Sequence, residues 1–281
     1  MAYRRILTIQ DISCLGQCSM TVALPILSAC GHETCILPTA VLSTHTGGFG
    51  TVHKRNLTED IPSIIQHWKR EGISFDAICT GYLGSCEQIA LMRDIFCTMT
   101  APKGVRIVDP AMADNGKLYS GFDRAYVEEM KKLCADADVL IPNLTEACLL
   151  TDTPYCKEHD EAFVHQLLEK LGMFCPCVIL TGIGYVENET GVVVWQEGEV
   201  WHYTHPRNAK NYHGTGDIFA AAFTGAWQQG MAVEKAVKIA ADYTACCIQK
   251  TADASAHWYG VRFESALPEL IEMLHWNMDK V

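Results

Sequence analysis

Residues 211–223 read Asn211-Tyr212-His213-Gly214-Thr215-Gly216-Asp217-Ile218-Phe219-Ala220-Ala221-Ala222-Phe223, a glycine turn that empties into an apolar helix of small residues. Glycine takes backbone angles that other residues resist. A Gly-x-Gly turn therefore lets several N–H groups at the following helix start converge on one anion, and the helix dipole adds to the attraction. Asp217 falls in the first helical turn, where the same N–H groups favour a carboxylate. On this segment alone two readings stay open: a capped helix after a tight turn, or an anion hole with a carboxylate beside it. Ala220, Ala221, Ala222 and Gly225 are small enough to bury against a sheet, which would hold the turn rigidly and suit phosphoryl transfer.

Upstream, short apolar runs alternate with helical patterns. Ile6-Leu7-Thr8-Ile9 predicts a buried strand, followed by a polar segment from Gln10 to Gln17 and a helix from Ser19 to Cys30 with Pro25 inside it. Thr34 to Pro38 predicts the next strand and Ser43 to Gly48 a mobile loop, after which Ile61, Ile64, Ile65 and Trp68 recur at helical spacing. Ala77 to Thr80 predicts a strand, and Ser85 with Gln88 forms a capping-box pattern opening a helix. Further strands are expected at Val105 to Val108, Val139 to Ile141 and Cys177 to Leu180, with helices at Tyr126 to Leu133 and Asp160 to Leu171 between them. Gly191 to Trp195 and Glu199 to His205 predict a hairpin, and helices near Val233 to Ile248 and Leu267 to Leu274 complete the pattern. Continuous apolar strands separated by helices argue an α/β fold with a mostly parallel sheet covered on both faces. In such sheets ligands gather at the strand C-termini. Gln10-Asp11, Gly81-Tyr82, Asp109, Asn143 with Glu146, and Thr181-Gly182 are therefore expected to line one crevice.

The 281 residues are 49% hydrophobic, ample for a sizeable core, and no Pro/Gly/Ser-rich linker or charge run divides them, so one domain over residues 1–281 is expected. Lys+Arg 22 against Asp+Glu 33 gives a net charge of −11, which repels a nucleic-acid backbone. A triphosphate would then be held mainly by backbone N–H groups and Mg²⁺ rather than by a basic surface. No apolar run approaches the ~20 residues of a membrane span. The 14 Cys sit mostly in apolar contexts with no secretory leader in view, so reduced thiols in a cytoplasmic protein are expected. Cys175-Pro176-Cys177 lacks the spacing of a redox or zinc pair and reads as structural.

No P-loop or protein-kinase motif is present. Gly182-Ile183-Gly184 follows a strand, but position 187 is Glu and a strand pattern comes next, which speaks against a dinucleotide fingerprint. Asn143-Leu144-Thr145-Glu146 places an amide and a carboxylate three apart at a helix start. They form a capping box, or both reach one solvated ion, for which Glu146 and Asp109 would suffice because Mg²⁺ keeps several waters. His45 and Tyr82 are each open to a packing reading and to a substrate reading.

Gly214-Thr215-Gly216-Asp217 followed by Ile218-Phe219-Ala220 resembles the ribokinase-like superfamily, and within it the chain is similar to the pyridoxal (pyridoxine) kinases. Leu7 to Gln10 with the Gly16 loop, Thr44 to Gly47, Thr80 to Tyr82, Val108 to Pro110 with Asp114, and Pro142-Asn143 with Glu146 match in the same order, from Ile6 to about Lys250. The resemblance implies a three-layer α/β/α kinase using ATP and Mg²⁺ to phosphorylate the 5′-hydroxymethyl of a B6 vitamer. Carried over by residue, Asp217 is the base, and Gly214, Thr215 and Gly216 cradle the transferring phosphoryl. Asp11, Cys18, His45, Thr46 and Tyr82 surround the pyridine ring. Asp114, in a loop able to cover the site, Asn143, Thr181 and Gly182 lie along the nucleotide, and Asp109 and Glu146 place the metal. A monovalent cation, K⁺, is also implied, although Ile141 stands where the family commonly has a Thr hydroxyl. The expected assembly is a homodimer. A hydroxymethylpyrimidine kinase of the same fold is the nearest alternative, and a non-catalytic vitamer sensor is an alternative of another class, against which the intact Asp217 argues.

Overall fold

A computed structural model describes residues 3–207, 212–252 and 257–275 of the chain. Asn211, which opens the quoted stretch, lies outside them. By its internal contacts the chain divides into two compact units, Met1–Leu57 with Asn208–Val281, and Thr58–Arg207.

The first unit begins with β1 (Arg5–Ser13), α1 (Met20–Ala29), β2 (Glu33–Leu42) and β3 (Lys54–Asn56). β1 and β2 run parallel from Arg5 opposite Glu33 to Ser13 opposite Leu42, and β3 is antiparallel to β2. Ile6, Leu7 and Ile9 are fully buried, as their apolar run implies. The strand is longer than that run. Gln10, Asp11 and Ser13 stay in it because their side chains find local partners: Gln10 Nε2 donates to Thr8 Oγ1 (2.8 Å) and Ser13 Oγ to Asp11 Oδ2 (3.1 Å). The polar segment expected as a loop from Gln10 thus starts only after Ser13, and Asp11 lies within the strand rather than beyond its end. It occupies an irregularity where β1 has one residue between Gln10 and Ile12 and β2 has two between Pro38 and Val41.

The second unit contains α2 (Ile61–Arg70), β4 (Phe75–Thr80), α3 (Cys86–Met99), β5 (Thr100–Val108), β6 (Ala113–Asp114), β7 (Lys117–Leu118), α4 (Arg124–Ala135), β8 (Val139–Leu140), α5 (Leu144–Leu150), α6 (Glu161–Gly172), β9 (Cys177–Ile183), β10 (Glu189–Gln196) and β11 (Glu199–Pro206). Its strands lie in the order β4-β5-β8-β9-β10-β11. The pairs from β4 to β9 are parallel and the β9-β10-β11 pairs antiparallel. The parallel strands are the apolar ones, and β10–β11 is the expected hairpin. It turns at Glu197 (φ 51°) and Gly198 (φ 96°), whose left-handed backbone matches the twist of two-residue hairpins. β9 runs three residues past the expected Leu180, which puts Thr181 and Gly182 inside the strand rather than beyond it. Asp114 belongs to the two-stranded β6–β7 ribbon, not to a loop. At the start of α3, Ser85 caps Gln88 N–H as expected (3.2 Å), but Gln88 Oε1 reaches back to the N–H of Gly84 (2.7 Å) instead of Ser85.

The first unit then resumes with α7 (Thr215–Gln228), α8 (Val233–Ala252), a 3-10 turn (Phe263–Ala266) and α9 (Leu267–His275). α7 packs against α1 and α8. Its small residues therefore serve a helix seam rather than the sheet contact expected. A Cβ at Gly225 would come within 2.3 Å of Cys30 Sγ on the loop after α1, so only glycine fits there.

Candidate active site

In the first unit, Gly214 is the N-cap of α7 at φ +84°, and a Cβ there would stand 1.9 Å from the carbonyl oxygen of Gln17. The turn is built on glycine for both reasons. Thr215 Oγ1 donates to Tyr212 O (3.4 Å), and Gly216 is exposed with its N–H in the first, unpaired turn of the helix. Asp217 is aimed by a bond from a distant part of the chain, Ser19 N–H to Oδ2 at 2.9 Å. Burial lifts its carboxyl to about 6, the Ser19 bond pulls the other way, and the charge of Asp11 adds to the rise.

Asp11 is 4% exposed and accepts from Ser13 Oγ. Its pKa is raised by burial and partly restrained by the Ser19 and Ser13 hydroxyls. Burial, with Asp217 and Asp11 nearby, pushes the Cys18 thiol far up, so it stays protonated. His45, expected in a mobile loop, is buried, with both ring nitrogens engaged: Nε2 lies 2.7 Å from Tyr259 O and Nδ1 accepts from Gly47 N–H (3.1 Å). A carbonyl only accepts, so Nε2 carries the proton. Burial lowers its pKa, and the ring packs on Phe49 and His213. Thr46 is exposed beside it.

In the second unit, Asn143 caps α5. Its Oδ1 accepts from Glu146 N–H (3.0 Å), and Glu146 Oε2 accepts from Asn143 N–H (2.9 Å), the full capping box. Glu146 Oε1 also accepts from Met112 N–H (3.1 Å) and Ala113 N–H (3.4 Å), and Asn143 Nδ2 donates to Ala113 O (2.8 Å). Burial pushes Glu146 up to about 8 against these backbone donors. Thr181 N–H donates to Pro142 O (2.9 Å), which brings β9 beside Asn143. Gly182 (φ +74°) has open space where a side chain would be. Asp109 follows β5, its N–H bonded to Thr80 O (3.0 Å). Asp114 is exposed and bonded by Asn115. Tyr82 stacks on Phe122, which stacks on Tyr126.

Among the described residues no three His, Cys, Asp or Glu side chains form a metal cage. Mg²⁺ needs less, one or two carboxylates and several waters. Glu146 has three backbone donors on its two oxygens, which leaves acceptor capacity for one metal-held water. A cation nearby would also restore the charge that burial suppresses. Glu146 therefore fits a water of a hydrated magnesium.

A model of the phosphomethylpyrimidine kinase family matches residues 24–261. The chain belongs to that family. A putative phosphomethylpyrimidine kinase from Bacteroides thetaiotaomicron is 36% identical with a TM-score of 0.92, covering 96% of this chain and 94% of that one. Pyridoxal kinase from Lactobacillus plantarum is 30% identical with a TM-score of 0.90, covering 99% of both chains. The thiamine biosynthesis multifunctional protein ThiED of Corynebacterium glutamicum is 25% identical over 83% of this chain, and the chain spans only 30% of that protein's length. The kinase thus has the expected α/β fold with a mostly parallel sheet flanked by helices, shared with pyridoxal kinases of ribokinase-like fold. It is a phosphotransferase with an alcohol group as acceptor.

Sequence reasoning singled out the acids of each unit but not the atoms that hold them. Ser19 on Asp217, Gln17 beneath Gly214, Tyr259 on His45 and the Met112 and Ala113 amides on Glu146 act mostly through backbone atoms, which carry no residue-type signal.

Proposed function

We propose that the kinase transfers the γ-phosphoryl of ATP to the 5′-hydroxymethyl of pyridoxal, pyridoxine or pyridoxamine. The carrying observation is Asp217, held by Ser19 N–H in the first turn of α7 and lifted to about 6, close enough to neutrality to accept an alcohol proton. The Gly214, Thr215 and Gly216 amides would hold the charge of the transferring phosphoryl, whose loose transition state asks for orientation more than early proton removal. A magnesium ion bound with the nucleotide would neutralise charge on the phosphate oxygens. Glu146 would orient a water on it, with Asp109 as the second carboxylate. Asn143, Thr181, Gly182 and Asp114 would line the nucleotide.

Asp11, Cys18, His45, Thr46 and Tyr82 would surround the substrate ring, with His45 offering its ring face because both its nitrogens are engaged. Support for a B6 vitamer comes from the Bacteroides relative, whose orthorhombic form, 35% identical, is described with pyridoxal, and from the Lactobacillus pyridoxal kinase. We also propose that both units serve one kinase domain, since the family match runs through each of them. The fourteen free thiols support a cytoplasmic enzyme, and a homodimer is the assembly to test by size-exclusion chromatography with light scattering.

A second reading, a hydroxymethylpyrimidine kinase, is favoured by the family match and by Asp11, a buried carboxylate suited to accept from an exocyclic amine. A coupled ADP-release assay on the three vitamers and on hydroxymethylpyrimidine separates the two. Turnover of hydroxymethylpyrimidine with none of the three vitamers would sink the first reading.

A further inference from the structure

The segment Gly16–Ser19 touches three parts of the first unit's site, His45, Gly214 and Asp217. Gly16, at φ +112°, lies under the His45 ring, where a Cβ would meet Cδ2 at 2.2 Å. Gln17 O lies against Gly214, and Ser19 N–H holds Asp217. Thr21 Oγ1 ties the segment from within, donating to Cys18 O (2.8 Å) and reaching Gly16 O (3.1 Å), and the Gln17 side chain ties it to residues 257–264. Its Oε1 is 3.1 Å from His257 Nε2, which donates to it, and its Nε2 reaches Glu264 Oε1 at 3.4 Å. Gly260, at φ +151°, is pressed against the same residue: a Cβ there would meet Gln17 Oε1 at 2.7 Å, its Cβ at 3.0 Å and its N at 3.1 Å. The neighbouring Tyr259 carbonyl accepts from His45, and Trp258 packs on Phe49. One short stretch, residues 257–260, therefore bears on the substrate loop through His45 and Phe49 and on the catalytic turn through Gln17.

We infer that Gln17 is a positioning residue for phosphoryl transfer, relaying the placement of residues 257–260 to the Gly214 turn and, through Ser19 N–H, to Asp217. The geometry is directional. A side chain clamped from one side sets its own carbonyl on the other, and that carbonyl sits where Gly214 leaves no slack. Residues two positions apart on the same stretch then aim the Asp217 carboxylate. The Thr215 and Gly216 amides belong to α7, which is held by α1 and α8, so loss of the clamp leaves them in place and nucleotide affinity should survive while alignment of the alcohol suffers. This inference rests on the reading of Asp217 as the base.

The test uses the full chain with Gln17→Met, which keeps the volume and removes the polar contacts, the exchange Gln17→Glu with Glu264→Gln, which keeps an acceptor for His257 and a donor–acceptor pair between positions 17 and 264, and Gly260→Ala, which reaches the contact from the other side. The expected result is a fall in kcat of about tenfold for Gln17→Met and Gly260→Ala with the KM for ATP unchanged, the scale of a small misalignment of reacting groups. The Gln17→Glu/Glu264→Gln exchange should restore most of it. The acid limb of kcat should also move up in Gln17→Met, because the Ser19 bond lowers the pKa of Asp217 while the other groups facing it, Asp11 and Cys18, are unchanged. Full kcat in Gln17→Met, or a loss matched by the Gln17→Glu/Glu264→Gln exchange with the acid limb unmoved, would overturn the inference. If Asp217→Asn keeps its turnover, the underlying reading fails as well; if Asp217→Asn is inactive and Gln17→Met is fully active, only the present inference falls.

Discussion

Asp217 and Glu146 are both carboxyls lifted by burial, yet their surroundings differ. Asp217 has a single backbone donor and a value near 6, so turnover should fall as the pH drops through about 6, well above the ordinary carboxylate value of 3.8. Asp217→Asn should cost about 10²–10⁴-fold in kcat while ATP binding, followed by equilibrium titration, persists. The same substitution should raise the melting temperature at pH 7.5. An acid whose folded value exceeds its unfolded one binds more protons when folded, so its contribution is favourable at low pH and is lost as the pH rises through about 6. The gain from Asn should therefore shrink toward pH 4. A melting temperature insensitive to the substitution at both pH values would show that burial does not strain the carboxylate. Glu146→Gln keeps an acceptor for the amides but removes the charge, so the Mg²⁺ concentration giving half-maximal rate should rise, and an unchanged titration would remove Glu146 from the metal site. Asp11→Ser tests substrate choice. If the ratio of kcat/KM for pyridoxal and hydroxymethylpyrimidine stays within about twofold, a shift below ~0.4 kcal/mol, Asp11 does not select the ring. These three acids were legible because Asp217 and Glu146 stand in short motifs, Gly-Thr-Gly-Asp and Asn-x-x-Glu, and Asp11 follows an apolar run. Ser19 was not, since its contact with Asp217 spans 198 residues and is made by a backbone N–H that any residue but proline could supply.

At the level of elements, the glycine turn and the hairpin turn make a controlled comparison. Gly214 and Gly198 both sit at left-handed φ, +84° and +96°, so alanine at either carries the backbone penalty of about 1–2 kcal/mol. At Gly198 nothing lies within 4 Å of a new Cβ, whereas at Gly214 it would overlap the Gln17 carbonyl at 1.9 Å. Gly198→Ala should lower the melting temperature slightly and leave turnover intact. Gly214→Ala should abolish most turnover, because the turn or the Gly16–Ser19 segment must move. Equal effects of the two substitutions on activity would mean that the turn is not under steric constraint. The order of elements was readable from alternating apolar runs and helical spacing, and the β10–β11 hairpin from its change of pattern. Their limits were not. β1 and β9 extend into polar residues because ladder bonds use the backbone, not the side chain, and β3, β6 and β7 are too short and polar to leave a periodic trace. α7 was expected to lie on a sheet because small residues mark close packing without saying against what; its neighbours are helices.

Across the whole molecule the charge of −11 limits how an anionic nucleotide can be held. If backbone amides and Mg²⁺ do most of the holding, the KM for MgATP should change by less than about twofold between 50 and 200 mM NaCl, where a cluster of Lys and Arg contacts would weaken binding far more. Replacing NaCl by KCl at equal ionic strength should leave the rate unchanged, since Ile141 offers no hydroxyl to a potassium ion. A steep salt slope, or activation by potassium, would contradict these expectations in turn. The seam between Gly225 and Cys30 has a different kind of consequence. With a Cβ at 225 only 2.3 Å from the thiol sulfur, neither position is free to drift alone. Gly225→Ala should destabilise strongly in the parent background and little in Cys30→Gly, a non-additive pair in a double-mutant cycle. The two sites then behave as one unit of inheritance: whichever residue enlarges first, the other must already have shrunk, and the order in which substitutions accumulate at this seam is constrained by packing.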